Sequence, residues 1–172
     1  ADLTGEYAAV PAEMKAVAAE LGASVLREVD EEKFYAAIPS LRKTVGDRAV
    51  LRAIHFFKDN RIVGAEPADG PSNHNLLCVK GKFGDFEAFK RLVIASGRSS
   101  ATNLQNVFAV VNPQEQGLSL ALALIERLLE GRGAYRVHGG GFAGTVQAYV
   151  PLDMLAEFRK EIEAVFGAGA CY

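Results

Sequence analysis

Apolar positions recur three and four apart through the N-terminal part of the chain, and the pattern gives way to strand-like alternation only in the C-terminal third. Met14, Val17, Ala18 and Leu21 share one helical face, with Pro11 in the first turn or at a kink near it and Gly22 as the stop. Asp30 stands as N-cap ahead of Glu31, Glu32 and Phe34, where acidic residues suit the positive end of the helix dipole. Ser40 is expected to cap a separate short segment ending at Val45. Asp47 opens a stronger helix in which Val50, Leu51, Ile54 and Phe57 form a stripe.

Residues 64–82 break the periodicity with Gly64, Pro67, Gly70 and Pro71 followed by Ser72-Asn73-His74-Asn75, the composition of a loop. Asp85 is placed to cap the next helix, Phe86 to Ala95, whose stripe is Phe86, Phe89, Leu92 and Val93. Gly97 should end it, leaving Arg98 to Asn103 as a polar turn. Asn112-Pro113-Gln114-Glu115 has the cap, proline and glutamate of a helix start, and the helix should run to about Glu130 before Gly131 and Gly133. Ala134–His138 and Thr145–Val150 alternate as strands around a glycine loop. Pro151 then begins a helix over Leu152–Phe166, with Leu155, Phe158, Ile162 and Val165 on one face, and Cys171-Tyr172 should start a further strand. Helix, strand, loop, strand, helix, strand describes an α+β chain with a ferredoxin-like split βαβ sandwich and additional helices.

Composition narrows the function classes. With 172 residues, about half of them apolar, the chain can bury a core as one globular domain. A net charge of −2 and the absence of a Lys/Arg run give no electrostatic basis for nucleic-acid binding. No apolar run approaches the ~18 residues of a membrane span, and the N-terminus lacks a signal-peptide pattern. Cys78 and Cys171 are too few for a zinc site and suit reduced thiols in a cytoplasmic protein. The chain has no initiator Met and stops where a strand is expected, so truncation at both ends is the reading to be tested.

The strongest chemical feature is the loop between the two strands. Gly139, Gly140, Gly141 and Gly144 fall within six positions, more glycine than a tight turn requires, so a ligand or another backbone is expected to come close. Arg136 and His138 alternate with Ala134 onto one side of the preceding strand, facing either solvent or a cleft. His55 is expected to pack in its helix, His74 to be solvated, and the charges of the last helix, such as Glu157 and Arg159, to form a solvated face.

Five stretches in order carry a resemblance: Asp2-Leu3-Thr4-Gly5-Glu6-Tyr7; Gly46 to His55 with Asp59-Asn60-Arg61-Ile62-Val63; Gly84 to Phe89; Gln114-Glu115 with its Ala/Leu helix; and Arg136-Val137-His138-Gly139-Gly140-Gly141-Phe142-Ala143-Gly144-Thr145. Together they resemble the C-terminal half of the galactokinases, of the GHMP small-molecule kinase superfamily, and the last resembles that family's third motif. The resemblance implies a GHMP C-terminal domain over residues 1–172, without the N-terminal domain that supplies the sugar motif, the phosphate loop and the catalytic aspartate. It implies a parent enzyme that phosphorylates galactose or a related sugar at the anomeric hydroxyl with ATP and Mg²⁺. By the same resemblance Tyr7 would contact the sugar, and Gly139, Gly140, Gly141, Phe142 and Gly144 would lie near the nucleotide phosphates.

No catalytic or metal-ligating residue is assigned within this chain, and Gly117-Leu118-Ser119 continues into a helix as no phosphate loop does. The fragment alone is expected to be inactive, to bind neither ATP nor Mg²⁺, and to self-associate through the interface its partner domain would cover. Ala143 for a family glycine, Gly97 for a family histidine and the long 64–82 loop mark a divergent branch. The alternatives are a non-catalytic sugar sensor or regulator related to the kinases, and a free-standing ferredoxin-like interaction domain.

Overall fold

The computed structural model describes residues 2–64, 86–142 and 144–172. The 65–82 part of the expected loop, its His74 and Cys78, the Asp85 cap and the Ala143 substitution lie outside them. The described residues form six α-helices and one hairpin, in order α1 (Thr4–Glu20), α2 (Glu31–Thr44), α3 (Asp47–Gly64), α4 (Phe86–Ser99), α5 (Gly117–Leu129), β1 (Ala134–His138), β2 (Thr145–Tyr149) and α6 (Leu155–Phe166). The chain is α+β and mostly helical.

The first three helices form one core. The Lys33 N–H donates to Asp30 Oδ1 at 2.9 Å, so the expected N-cap is in place. Helix α2 does not break at Ser40. It runs through Pro39, and the Ser40 hydroxyl donates back to the Ala37 carbonyl. Phe34 and Leu41 lie either side of Pro39 on the same face and are both buried. Burial of two such side chains, each worth roughly 1.5–3 kcal/mol, offsets the ~3 kcal/mol that an interior proline costs. Helix α3 is the central element, packed against α1, α2 and α4. Its buried face holds Val50, Ala53 and Phe57, as alternation of turns requires, but also Arg52 and His55.

Arg52 is the largest fully buried side chain among the described residues. Its Nη1 lies 2.9 Å from Glu13 Oε2 and its Nε donates to the Leu104 carbonyl at 3.2 Å. Arg48 joins the same Glu13 carboxylate, so the buried charge is paired, and the Arg52 Nε and Nη1 groups have acceptors. Burial pulls the Arg52 guanidinium below its ordinary value while Glu13 opposes the shift.

Helix α4 passes the expected stop at Gly97 and ends at Ser99, continuing as a π-helical turn over Ser100–Leu104. Gly97 serves contact with the sheet: a Cβ there would lie 3.0 Å from Arg136 Cβ. The polar run Arg98 to Asn103 is therefore helical, and its serines turn inward. His55 Nδ1 lies 3.0 Å from Ser99 Oγ, Asn103 Nδ2 donates to the same oxygen, and Ser96 Oγ donates to Asp59 Oδ1 at 2.7 Å. Side chains that suggest a turn by composition are tolerated inside because they satisfy one another across the α3–α4 seam.

Strands β1 and β2 pair antiparallel, from Ala134 opposite Tyr149 to His138 opposite Thr145. Tyr135 and Val137 share a face with their partners Ala148 and Val146, against the cores contributed by α5 and α6. The opposite face, with Arg136 and Tyr149, meets α4; the Phe89 and Tyr149 rings form an edge-to-face pair 4.9 Å apart. Helix α5 starts at Gly117, later than Asn112 predicts, and α6 starts at Leu155 after a turn over Leu152–Met154. Cys171-Tyr172 is not a strand: Arg159 donates to the Cys171 carbonyl and Ala170 N–H to Gly167 in a turn. Among the described residues the sheet has two strands, without the parallel crossover of a split βαβ sandwich.

Candidate functional site

The hairpin connection from Gly139 to Gly144 folds back over the start of α1 and the segment that leaves the π turn. Its φ angles change sign along the chain: +65° at Gly139, +81° at Gly141 and +56° at Phe142, with Gly140 between them not in the left-handed region. Positive φ at three of these four positions turns the backbone sharply, a conformation that glycine adopts without steric cost. Phe142 adopts positive φ without being glycine, which is sparsely populated for an aromatic residue. Its burial and its edge-to-face contact with Tyr7, at 5.1 Å between centroids, hold it there.

Two residues fasten the loop. Tyr7, on the first turn of α1, donates its hydroxyl to the Gly141 carbonyl at 2.8 Å and lays its ring over Gly140, where a Cβ would come within 2.7 Å of Cε1. Asn106, fully buried, accepts the Phe142 N–H on its backbone carbonyl at 2.5 Å and donates Nδ2 to the Gly140 carbonyl at 3.2 Å. A Cβ on Gly141 would lie 2.1 Å from the Asn106 carbonyl oxygen, so this glycine is required by the approach of another backbone. The Gly144 N–H donates to the Gly141 carbonyl at 2.9 Å. With Phe142 and Gly144 thus paired, the amides of Gly139, Gly140 and Gly141 have no partner among the described residues.

The sequence-predicted residues therefore meet at one place: Tyr7 contacts Gly140, Gly141 and Phe142 across most of the chain length. Arg136 and His138 diverge from it. Arg136 sits half-buried beneath Gly97 and lowers the proton affinity of His55 from across the α4 face, behind the larger effect of burial. His138 is exposed at the end of β1. Asn106 went unrecognised in the sequence, and no local pattern marks it. Its contacts lie 34 residues away, and the positive φ of Gln105 before it (+58°) carries no residue-type signature.

Beside the hairpin an apolar groove of about 950 Å³ runs along β2 between α5 and α6. Leu118, Ile125, Val146, Phe158, Ile162 and Phe166 line it. Leu155 and Val165 expose apolar surface on α6, and Tyr172 is 99% exposed. Among the described residues no three His, Cys, Asp or Glu side chains gather as a metal site, and no helix is long and apolar enough to cross a membrane.

No protein-family model matches the chain. It is similar to a galactokinase of Haemophilus influenzae (strain PittEE), at 26% identity over 160 residues that take up 93% of this chain. The chain spans 37% of the length of that curated relative. The likeness makes it a distant sugar-kinase relative.

Proposed function

We propose that the chain is the C-terminal part of an ATP-dependent sugar kinase that phosphorylates galactose or a related sugar at its anomeric hydroxyl. The observation that carries this reading is the glycine loop, whose positive φ angles and three amides without a partner among the described residues suit phosphate oxygens, in a chain similar to a galactokinase. Phosphoryl transfer depends on positioning and on stabilising charge spread over phosphate oxygens, and backbone N–H groups supply both without a titratable side chain. Gly139, Gly140 and Gly141 would provide those donors. Phe142 and Gly144 shape the turn, since their own amides are bonded within the protein.

Tyr7 would face the sugar. Its hydroxyl proton is committed to Gly141, so what it offers a sugar hydroxyl is its oxygen as acceptor. The magnesium ligands, the phosphate loop and the acid that orients the attacking hydroxyl would come from an N-terminal domain of the parent protein. A GHMP-type ferredoxin-like sandwich would likewise need further strands beside the β1–β2 hairpin.

The test is a coupled ADP-release assay on the whole parent protein and on this chain alone. Galactose-dependent turnover by the parent and none by the fragment is the expected result. Turnover by the fragment would refute the division of labour. Galactose binding by the parent without ADP release would replace the enzyme with a sugar sensor.

A further inference from the structure

Two peptide planes of the loop are set by Asn106, one through its side chain and one through its backbone carbonyl together with Tyr7. The peptide joining Gly140 and Gly141 is trans, so its carbonyl and its N–H point in opposite directions. Asn106 Nδ2 holds the Gly140 carbonyl at 3.2 Å, and the Gly141 N–H is thereby turned away from Asn106. The next plane is fixed at both ends, its Phe142 N–H on the Asn106 carbonyl and its Gly141 carbonyl on Tyr7. Gly141 is a buried residue whose N–H nonetheless has no partner among the described residues. Buried backbone donors are rarely left so.

A second unpartnered atom lies on Asn106 itself. The residue is 1% exposed, and its Oδ1 has no hydrogen-bond partner. Rotating the amide would set Oδ1 against the Gly140 carbonyl, two acceptors face to face, so the orientation with Nδ2 toward the loop is the favourable one. Burying an unsatisfied acceptor costs stability, and an apolar side chain of the same size would avoid that cost. The same replacement would leave the Gly140 carbonyl without its donor, so the buried amide is explained by what its Nδ2 does for the loop.

We propose that Asn106 is a positioning residue, aiming the Gly141 N–H, beside those of Gly139 and Gly140, at an anionic phosphate oxygen. The proposal rests on the reading of the loop as the phosphate-facing wall. Arg52 extends the same arrangement, since it ties α1 through Glu13 to the Leu104 carbonyl, two residues before Asn106. The contacts close a ring from α1 through Arg52, Asn106 and the loop back to Tyr7 on α1.

The test is a titration of the ¹⁵N-labelled chain with inorganic phosphate, following the Gly139, Gly140 and Gly141 amides in wild type, Asn106→Leu and Asn106→Asp. Saturable shifts in wild type and about tenfold weaker binding in both variants are expected from loss of one positioned hydrogen bond. Asn106→Leu should remain folded with an unchanged urea m-value, so that the weaker binding is read in an intact protein. Binding within twofold of wild type in either folded variant overturns the proposal, as does failure of both variants to fold. If wild type shows no phosphate-dependent shift, the phosphate reading fails. The Gly141 N–H residual dipolar couplings then decide the positioning role alone: altered in a folded variant they uphold it, unchanged they overturn it.

Discussion

Gly141→Ala should be the most damaging single-methyl change in the loop, and Gly139→Ala is its internal control. Both glycines have positive φ, +81° and +65°, so alanine at either position pays the left-handed cost of roughly 1–2 kcal/mol. The surroundings differ. A Cβ on Gly139 meets nothing within 4 Å, whereas one on Gly141 falls 2.1 Å from the Asn106 carbonyl oxygen and 2.6 Å from Nδ2. The oxygen belongs to the backbone, so the clash is relieved only by moving the loop off Asn106. That movement breaks the Phe142 N–H bond to Asn106 and the Nδ2 bond to Gly140, at about 0.5–1.5 kcal/mol each. The expected losses are about 1–2 kcal/mol for Gly139→Ala and about 2–5 kcal/mol for Gly141→Ala. Urea unfolding followed by circular dichroism measures both, with the m-value checking that compactness is unchanged. Equal losses within about 0.5 kcal/mol, the scatter of benign substitutions, would refute the claim that Asn106 clamps the loop.

Three further outcomes follow from other parts of the molecule. Tyr7→Phe removes the hydroxyl that bonds Gly141 and keeps the ring contact with Phe142, so stability should fall by about 1 kcal/mol and hydrogen exchange should quicken across the loop; an unchanged exchange pattern would count against the tether. Burial lowers the His55 pKa below its ordinary 6.5, helped by Arg136 and Lys58 and opposed by Asp59 and Ser99. The unfolded chain then binds the proton more readily. This contribution to stability is therefore complete above pH 6.5 and is lost as the pH falls toward the folded-state value, a dependence that His55→Gln should flatten in pH-resolved melts. The groove beside β2 and the exposed Leu155, Val165 and Tyr172 should drive concentration-dependent association. Strictly monomeric light scattering across the concentration range would show that this surface is not adhesive.

Much of the local structure was legible because its determinants are neighbours in sequence. Asp30 caps α2 through Lys33, three residues on. Alternation set β1 at its observed bounds and β2 to within a residue, and four glycines marked the loop between them. The failures have a common cause. Ser40, Gly97 and the run from Arg98 to Asn103 carry residue types that end helices in isolation, yet each lies in a helical segment. Phe34 and Leu41 pull α2 past Pro39, the sheet needs a glycine on α4 beneath Arg136, and His55 and Asp59 supply the partners that buried serines require.

By itself the sequence determined the α+β class, the order of most elements, the glycine loop and the likeness to galactokinases, all of which depend on short-range pattern or on residue order. Tertiary structure alone decided that Tyr7 spends its hydroxyl proton on Gly141, that Gly141 is required by the Asn106 carbonyl, and that Arg52 is buried between Glu13 and Leu104. Propensity and periodicity act over a few residues, whereas a buried polar group is stable only where distant parts of the chain bring it a partner, and sequence spacing carries no record of those meetings.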